Sequence, residues 1–306
     1  MMNGTIALLA VLVALTILYV AAWIVMLVRS RRQQADASRC RPWPGPIELA
    51  IGLVTDFFDT LGIGNFATTT AAFKLFRLVP DERIPGTLNA GHTLPVVAEA
   101  LIYVAILQVD MTTLVAMIGA AVAGAWLGAG IVARLPRRAI QIGMGCALLV
   151  AATLMLLTQF GVLARLTGET LSLSGLRFAV GVTANFVLGA LMTLGIGLYA
   201  PCMILVSLLG MNPTAAFPIM MGSCAFLMPV GSLRFISLDK YSLRAALGLT
   251  IGGIPGVLLA AFLVKSLSLG AVRWLVVFVV VYAAVMMLRS AWTERAGGAR
   301  VIEVGR

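Results

Sequence analysis

Apolar residues run along this chain in stretches of roughly twenty, the length that crosses a hydrocarbon core, separated by short polar or Gly/Pro-rich clusters. The first stretch, roughly residues 5–28, is too long for a signal-peptide core, has no basic residues before it, and is followed by Arg29, Arg31 and Arg32. It reads as a retained anchor helix, joined by a Pro-rich polar linker (Arg39 to Pro46) to the rest of the chain. From there two sets of five segments, A to E, follow one another: 47–63, 65–77, 85–108, 111–133 and 139–160, then 176–194, 198–209, 214–236, 242–264 and 268–290. The division expected is an anchor and basic linker (1–46), a first transmembrane repeat (47–160), an external loop (161–174), a second repeat (175–290) and a tail (291–306).

The two sets are copies. Thr60-Leu61-Gly62-Ile63-Gly64 recurs as Thr193-Leu194-Gly195-Ile196-Gly197, and at the same spacing Pro80 matches Pro213, Pro85 matches Pro218, Leu94 matches Leu227 and Val97 matches Val230. Each Gly-rich string breaks an apolar segment just before segment B. As a helix, B would rise only ~20 Å, against ~30 Å of hydrocarbon. A and B are therefore expected to form a hairpin that turns near mid-membrane and returns to its starting side, a geometry tolerated where the turn is buried in protein or lines a cavity.

Charge tests that expectation. With the N-terminus outside and each A–B pair returning to its own side, Arg165, Arg177, Lys265 and Arg273 are the external members of the 22 Lys and Arg residues; all others face the cytoplasm, as does the C-terminus. A of the first half then enters from inside and A of the second from outside. The expected fold is an all-α polytopic membrane protein, an inverted-topology repeat with paired re-entrant or broken helices plus one N-terminal transmembrane helix.

Composition agrees with a bilayer: 61% of residues are hydrophobic, 11% are charged and mean hydropathy is +1.04. The net charge of +10 reports topology and not a nucleic-acid partner, because the basic residues sit in short groups between apolar runs. Of the four cysteines, Cys146, Cys202 and Cys224 lie inside apolar segments and none has metal-ligand spacing, so no metal, cofactor or structural disulfide is expected.

Each Gly-Ile-Gly break is followed by a helix start, which places free backbone N–H groups and a partial positive charge near mid-membrane, a site suited to a small anion. Gly62, Gly64, Gly195 and Gly197 let the backbone approach, and Asn65, Thr68, Thr69, Thr70, Asn89, His92, Tyr199, Cys202 and Ser223 are the candidate side-chain contacts. The bland alternative is that the glycines permit tight packing and the threonines bond back to their own helix. Ionisable residues are not duplicated: Asp56, Asp59, His92 and Glu99 stand opposite Gly189, Met192, Ala225 and Ser232. Asp56 and Asp59, i and i+3 on one face, lie ~15–20 Å along the helix from Pro46, where a lipid-exposed charge costs at least ~2.5 kcal/mol. These four are candidates for proton coupling, the alternative being a hydrated vestibule with a satisfied core histidine. Lys74, one turn from Arg77, reads as snorkelling to the inner interface.

The duplicated break, the short polar helix after it, the Pro-flanked loop and the stretch Ile84-Pro85-Gly86-Thr87-Leu88-Asn89-Ala90-Gly91-His92-Thr93 resemble the TauE/SafE sulfite-exporter family of bacterial membrane proteins, over roughly residues 47–290. The resemblance implies export of small sulfur-containing anions, such as sulfite or organosulfonates, across a bacterial plasma membrane. A secondary anion exporter, proton-coupled, is the expectation. A cation or proton pathway through the acidic residues is the alternative class, and a thiol-lined carrier of thiosulfate or another reduced sulfur species, using Cys202 and Cys224, is a variant of the first. An intramembrane enzyme lacks any zinc-type His pair, Ser–Lys dyad or nucleophile motif. Substrate anion and lipid are the partners implied; oligomeric state is left open.

Overall fold

A computed structural model describes residues 2–33, 43–132, 137–160, 168–192, 197–265 and 268–304. Cys40, Gly195 and most of the basic linker lie outside the described residues. Eleven α-helices occur among them: α1 (Met2–Gln33), α2 (Pro46–Thr60), α3 (Asn65–Phe76), α4 (Ile84–Ile106), α5 (Met111–Val132), α6 (Arg137–Gln159), α7 (Gly175–Met192), α8 (Tyr199–Leu208), α9 (Ala216–Ser237), α10 (Leu243–Lys265) and α11 (Leu269–Val304). Five helical stretches are long and apolar enough to cross a membrane: Asn3–Val28, Ile84–Ile106, Gly175–Met192, Pro213–Ser237 and Leu243–Leu263. The protein is a helical membrane protein. Large apolar side chains such as Trp126, Leu176 and Phe262 stand at least 80% exposed on its outside, the expected outer surface where lipid replaces water.

Helix limits follow local chemistry. α2 opens with Pro46 in its first turn, and Glu48 accepts from the Gly45 N–H (2.9 Å) while pairing with Arg244 (2.9 Å). It closes in a Schellman turn: the Ile63 N–H reaches the Phe58 carbonyl (3.1 Å) and the Gly62 N–H that of Asp59 (2.7 Å), with Gly62 at φ +96°. Gly64, at φ +86°, then reverses the chain into α3. Short 3-10 turns at Asp81–Arg83 and Pro213–Ala215 precede α4 and α9, so the duplicated Pro80 and Pro213 mark duplicated entrances to a helix. α11 continues to Val304, well past the apolar run ending near 290.

Packing is exchanged between the halves. α2 lies along α10 and α7 along α5, while α4 faces α9 and α6 faces α11. The α2–α10 seam is made by Gly248, Gly252 and Gly256, one per helical turn; a Cβ on any of them would collide with Glu48, Leu49 or Leu53. On the other side, Gly124 and Gly189 meet the backbones of Phe186 and Ala121 in the same way, joining α5 to α7.

The ends of the bundle are tied by distinct contacts. At one end lie the Glu48–Arg244 pair at the start of α2, Arg83 with Asp239 (3.8 Å) at the start of α4, and Trp23, whose indole donates to the Tyr241 hydroxyl (3.2 Å). At the other, the Asp110 N–H meets the Leu171 carbonyl (2.8 Å), the Asn212 N–H meets that of Thr170 (2.8 Å), and Leu173 N–H donates to Thr113 (3.1 Å). Hence α2, α4 and α10 start from one end, and α5, α7 and α9 from the other.

Candidate functional site

The first break gathers polar side chains into a closed core. Asp56 and Asp59 project from the last turns of α2, and Asn65, the first residue of α3, places one N–H on each: Nδ2 to Asp56 Oδ1 at 2.9 Å and to Asp59 Oδ2 at 2.7 Å. Both partners are acceptors when ionised, so the amide nitrogen must face them. His92, on α4, sets Nδ1 against the same Asp56 Oδ1 at 2.8 Å and Nε2 against the Thr69 hydroxyl at 3.0 Å. Asp56, His92, Thr69 and Glu99 are fully buried, and Asp59 and Asn65 almost so.

Seven residues along α4, Glu99 extends the network to the second half. Thr60 Oγ1 lies 2.8 Å from Glu99 Oε1 and 2.7 Å from the Asp56 carbonyl; the hydroxyl of Tyr199, the first residue of α8, donates to Glu99 Oε2 at 2.9 Å. The first break also meets the second half directly, since a Cβ on Gly62 would come within 2.8 Å of Met203 Sδ on α8. No Lys or Arg takes part in these contacts.

Backbone departures put these groups in place. Pro95 has no N–H for the Gly91 carbonyl, and Thr250 of α10 donates to that carbonyl instead (2.7 Å), so α4 carries a proline between His92 and Glu99 without an orphaned acceptor. Gly253 of α10 lies so close to Asp56 Oδ2 that a Cβ would overlap it, and that oxygen has no hydrogen-bond partner.

The sequence candidates divide. Asp56, Asp59, Asn65, Thr69, His92, Glu99 and Tyr199 come together. Gly64 and Gly197 border open space, with nothing within 4 Å of a Cβ at either. Thr68 bonds back to its own helix (Asn65 carbonyl, 2.9 Å), Asn89 does likewise (Pro85 carbonyl, 2.9 Å), and Thr70 is half-buried. Ser223 belongs to a separate contact on α9, accepting from Asn185 of α7 at 3.3 Å. Cys202 and Cys224 are buried and free, the latter with Sγ 3.5 Å from Met192 Sδ. Gly195 lies outside the described residues. Thr60 and Gly253 were not legible as site residues: Thr60 carried a signal, being four residues after Asp56 on its face, but nothing in the sequence aligns Gly253 with α2.

Two cavities lie outside this core. One, about 440 Å³, is lined by Phe73, Lys74, Arg77, Val79 and Pro80 at the end of α3. The other, about 790 Å³, is an apolar cleft between α2, α3 and α11. The acid–histidine cluster lines neither of these, and its side chains are buried, so it is closed to solvent in this arrangement.

A family model described as sulfite exporter TauE/SafE matches residues 2–155. This chain belongs to that family. The match runs from α1 into α6, so it takes in the N-terminal helix, which the sequence reading places outside the resemblance, and stops before the second repeat. Membership makes the chain a membrane transporter of the sulfite or sulfur-anion type, in a family of transporters rather than enzymes. No curated protein and no solved structure matches it.

Proposed function

We propose that this protein exports small sulfur-containing anions of the sulfite and organosulfonate type from a bacterial cytoplasm by alternating access coupled to protons, with its N-terminus outside and C-terminus inside. The observation that carries the coupling is the buried network of Asp56, Asp59, His92 and Glu99, tied to the first Gly-rich break and to the start of α8, with no Lys or Arg in the contacts described among them. The anion is assigned to the space beside Gly64 and Gly197, where α3 and α8 begin. Ionised carboxylates in the same buried region repel such an anion, and their protonation removes that repulsion. Proton occupancy of the network and anion occupancy of the site are therefore linked.

Two features support an inverted, re-entrant arrangement. α2 and α4 start from one end of the bundle and α7 and α9 from the other, as expected if each short hairpin returns to its own side. Basic residues concentrate at the first end, the cytoplasmic one by the positive-inside rule. Cys40 should then react in intact cells only with permeant thiol reagents, and Glu169→Cys with impermeant ones; the reverse pattern reverses the orientation.

Reconstituted vesicles loaded with a panel of sulfur and carbon oxyanions, with pH and potential clamped separately, test the function. Asp59→Asn should abolish pH-driven accumulation and keep substrate exchange. Unchanged pH-driven transport in both Asp56→Asn and Asp59→Asn would overturn proton coupling. The acidic, cation-free character of the network also favours a second reading, a cation or proton pathway; an ion current that needs no anion on either side would select it.

A further inference from the structure

We propose that Glu99 carries its proton in this closed arrangement, and that Tyr199 is the positioning residue by which the second half of the molecule holds the neutral acid. The reasoning is a count of hydrogens. Thr60 has one hydroxyl hydrogen and two oxygen neighbours, the Asp56 carbonyl at 2.7 Å and Glu99 Oε1 at 2.8 Å. The carbonyl has no hydrogen to offer, so the hydroxyl hydrogen belongs to that shorter bond, the usual one from Thr to the carbonyl four residues earlier. The contact with Glu99 is then made by a hydrogen on the carboxyl, with Oε1–H donating to Thr60. The other oxygen, Oε2, accepts from Tyr199 at 2.9 Å. Every polar atom of a neutral carboxylic acid is thereby matched, in a residue with no exposed surface.

Asp56 shows the opposite pattern. Its Oδ1 receives two donors, Asn65 and His92, and its Oδ2 faces Gly253 with no acceptor for a proton. No contact around Asp56 calls for a hydrogen on its carboxyl, unlike the contact between Glu99 and Thr60. The His92–Thr69 contact can run in either direction, hydroxyl to ring nitrogen or ring N–H to hydroxyl. The network is polarised along α4: an end at His92 where donors converge on Asp56 and a neutral end at Glu99, ~10 Å apart by helical rise.

Glu99 touches Thr60 of α2 and Tyr199 of α8, and the other groups within electrostatic reach of it are Asp56 and Asp59 from α2, Tyr103 on its own helix and Cys224 from α9. None of these is a Lys or Arg, so among the described residues none of these groups compensates a negative charge on Glu99. Its proton can leave only when α8 withdraws Tyr199 and admits water, which makes release dependent on relative movement of the two halves. The meaning for transport rests on the proton-coupled reading; the protonation itself does not.

The experiment is infrared spectroscopy of the full protein in lipid vesicles at pH 7, following the C=O stretch of protonated carboxyl groups. The expected result is a band lost in Glu99→Gln, retained in Asp56→Asn and Asp59→Asn, and moved to higher frequency in Tyr199→Phe, where the carbonyl loses its donor. Gln at 99 can donate to Thr60 and accept from Tyr199, so that variant keeps the fold, and the Tyr199→Phe shift is a second, independent readout. A band absent from the parent protein, or lost in Asp59→Asn and kept in Glu99→Gln, overturns the assignment. If the band behaves as expected while vesicle flux is indifferent to pH, the assignment of the proton stands and the coupling falls.

Discussion

α3 and α8 occupy the same place in the two halves and are held in opposite ways. In α8 every residue from Tyr199 to Ser207 except Leu205 is buried, and the helix packs on α9, α11 and α7. In α3 only Asn65, Thr69 and Phe73 are buried, its neighbours are α2 and α4, and an apolar cleft runs along its flank. Two of its three anchors are hydrogen-bonding side chains in the acid–histidine network. One helix is fixed by packing and the other by polar bonds. The two helices thus follow the same Gly-rich string in sequence while the ionisable groups gather around α3 alone.

Four tests, using seven substitutions, break or sharpen that contrast. Asn65 corresponds to Leu198, so Asn65→Leu gives the start of α3 the residue found before α8; it takes the amide donor from Asp59 Oδ2 and leaves Asp56 Oδ1 with His92 alone, at more than about 1–3 kcal/mol where the stranded group is charged. That should be the largest loss of thermal stability in detergent, accompanied by loss of pH-driven flux. Next, Met203→Ala empties a fully buried position in α8 and should cost about 2–5 kcal/mol, whereas Thr70→Ala at the corresponding place in α3 should cost under about 1 kcal/mol. Equal losses at the two sites would contradict the difference in how the helices are held. Third, Gly62→Ala and Gly64→Ala both force a side chain into positive φ, at about 1–2 kcal/mol; the effect should be larger at Gly62, where Met203 Sδ lies in the way, than at Gly64, which faces open space. Smallest is Thr68→Ala, which removes a bond back to its own helix and should shift stability by less than about 0.5 kcal/mol; Thr69→Val, which strips His92 of its Nε2 partner, should exceed it in the same assay.

Much of this architecture was legible because membrane helices declare themselves by apolar length and by the Gly and Pro residues that end them. The expected segment 65–77 matches α3 (Asn65–Phe76), and 198–209 contains α8 (Tyr199–Leu208), since Gly64 and Arg77 bound the first and Leu209-Gly210 the second. α11 exceeded the expected 268–290 because an apolar count stops at the edge of the bilayer, whereas Thr293-Glu294-Arg295-Ala296 can continue a helix in water. Within the site, Asp56 with Asp59 and His92 with Glu99 could be grouped by helical period. Joining the two groups through Asn65, Thr60 and Tyr199 could not, because that depends on how α2, α4 and α8 pack, and periodicity within one helix carries no such information. Asn89 shows the converse limit: it shares a helical face with His92, yet its amide turns back to Pro85.

The seam between α2 and α10 has a consequence for how this chain can come apart. Because Gly248, Gly252 and Gly256 fit against α2, and Gly124 and Gly189 make the reciprocal joint between α5 and α7, neither half owns the partner its own helix needs. Severing the chain between α6 and α7 would yield two fragments that are each other's folding template. Made singly, each fragment presents a stripe of bare backbone to lipid and becomes a substrate for membrane quality-control proteolysis; made together, they restore the missing neighbour and survive.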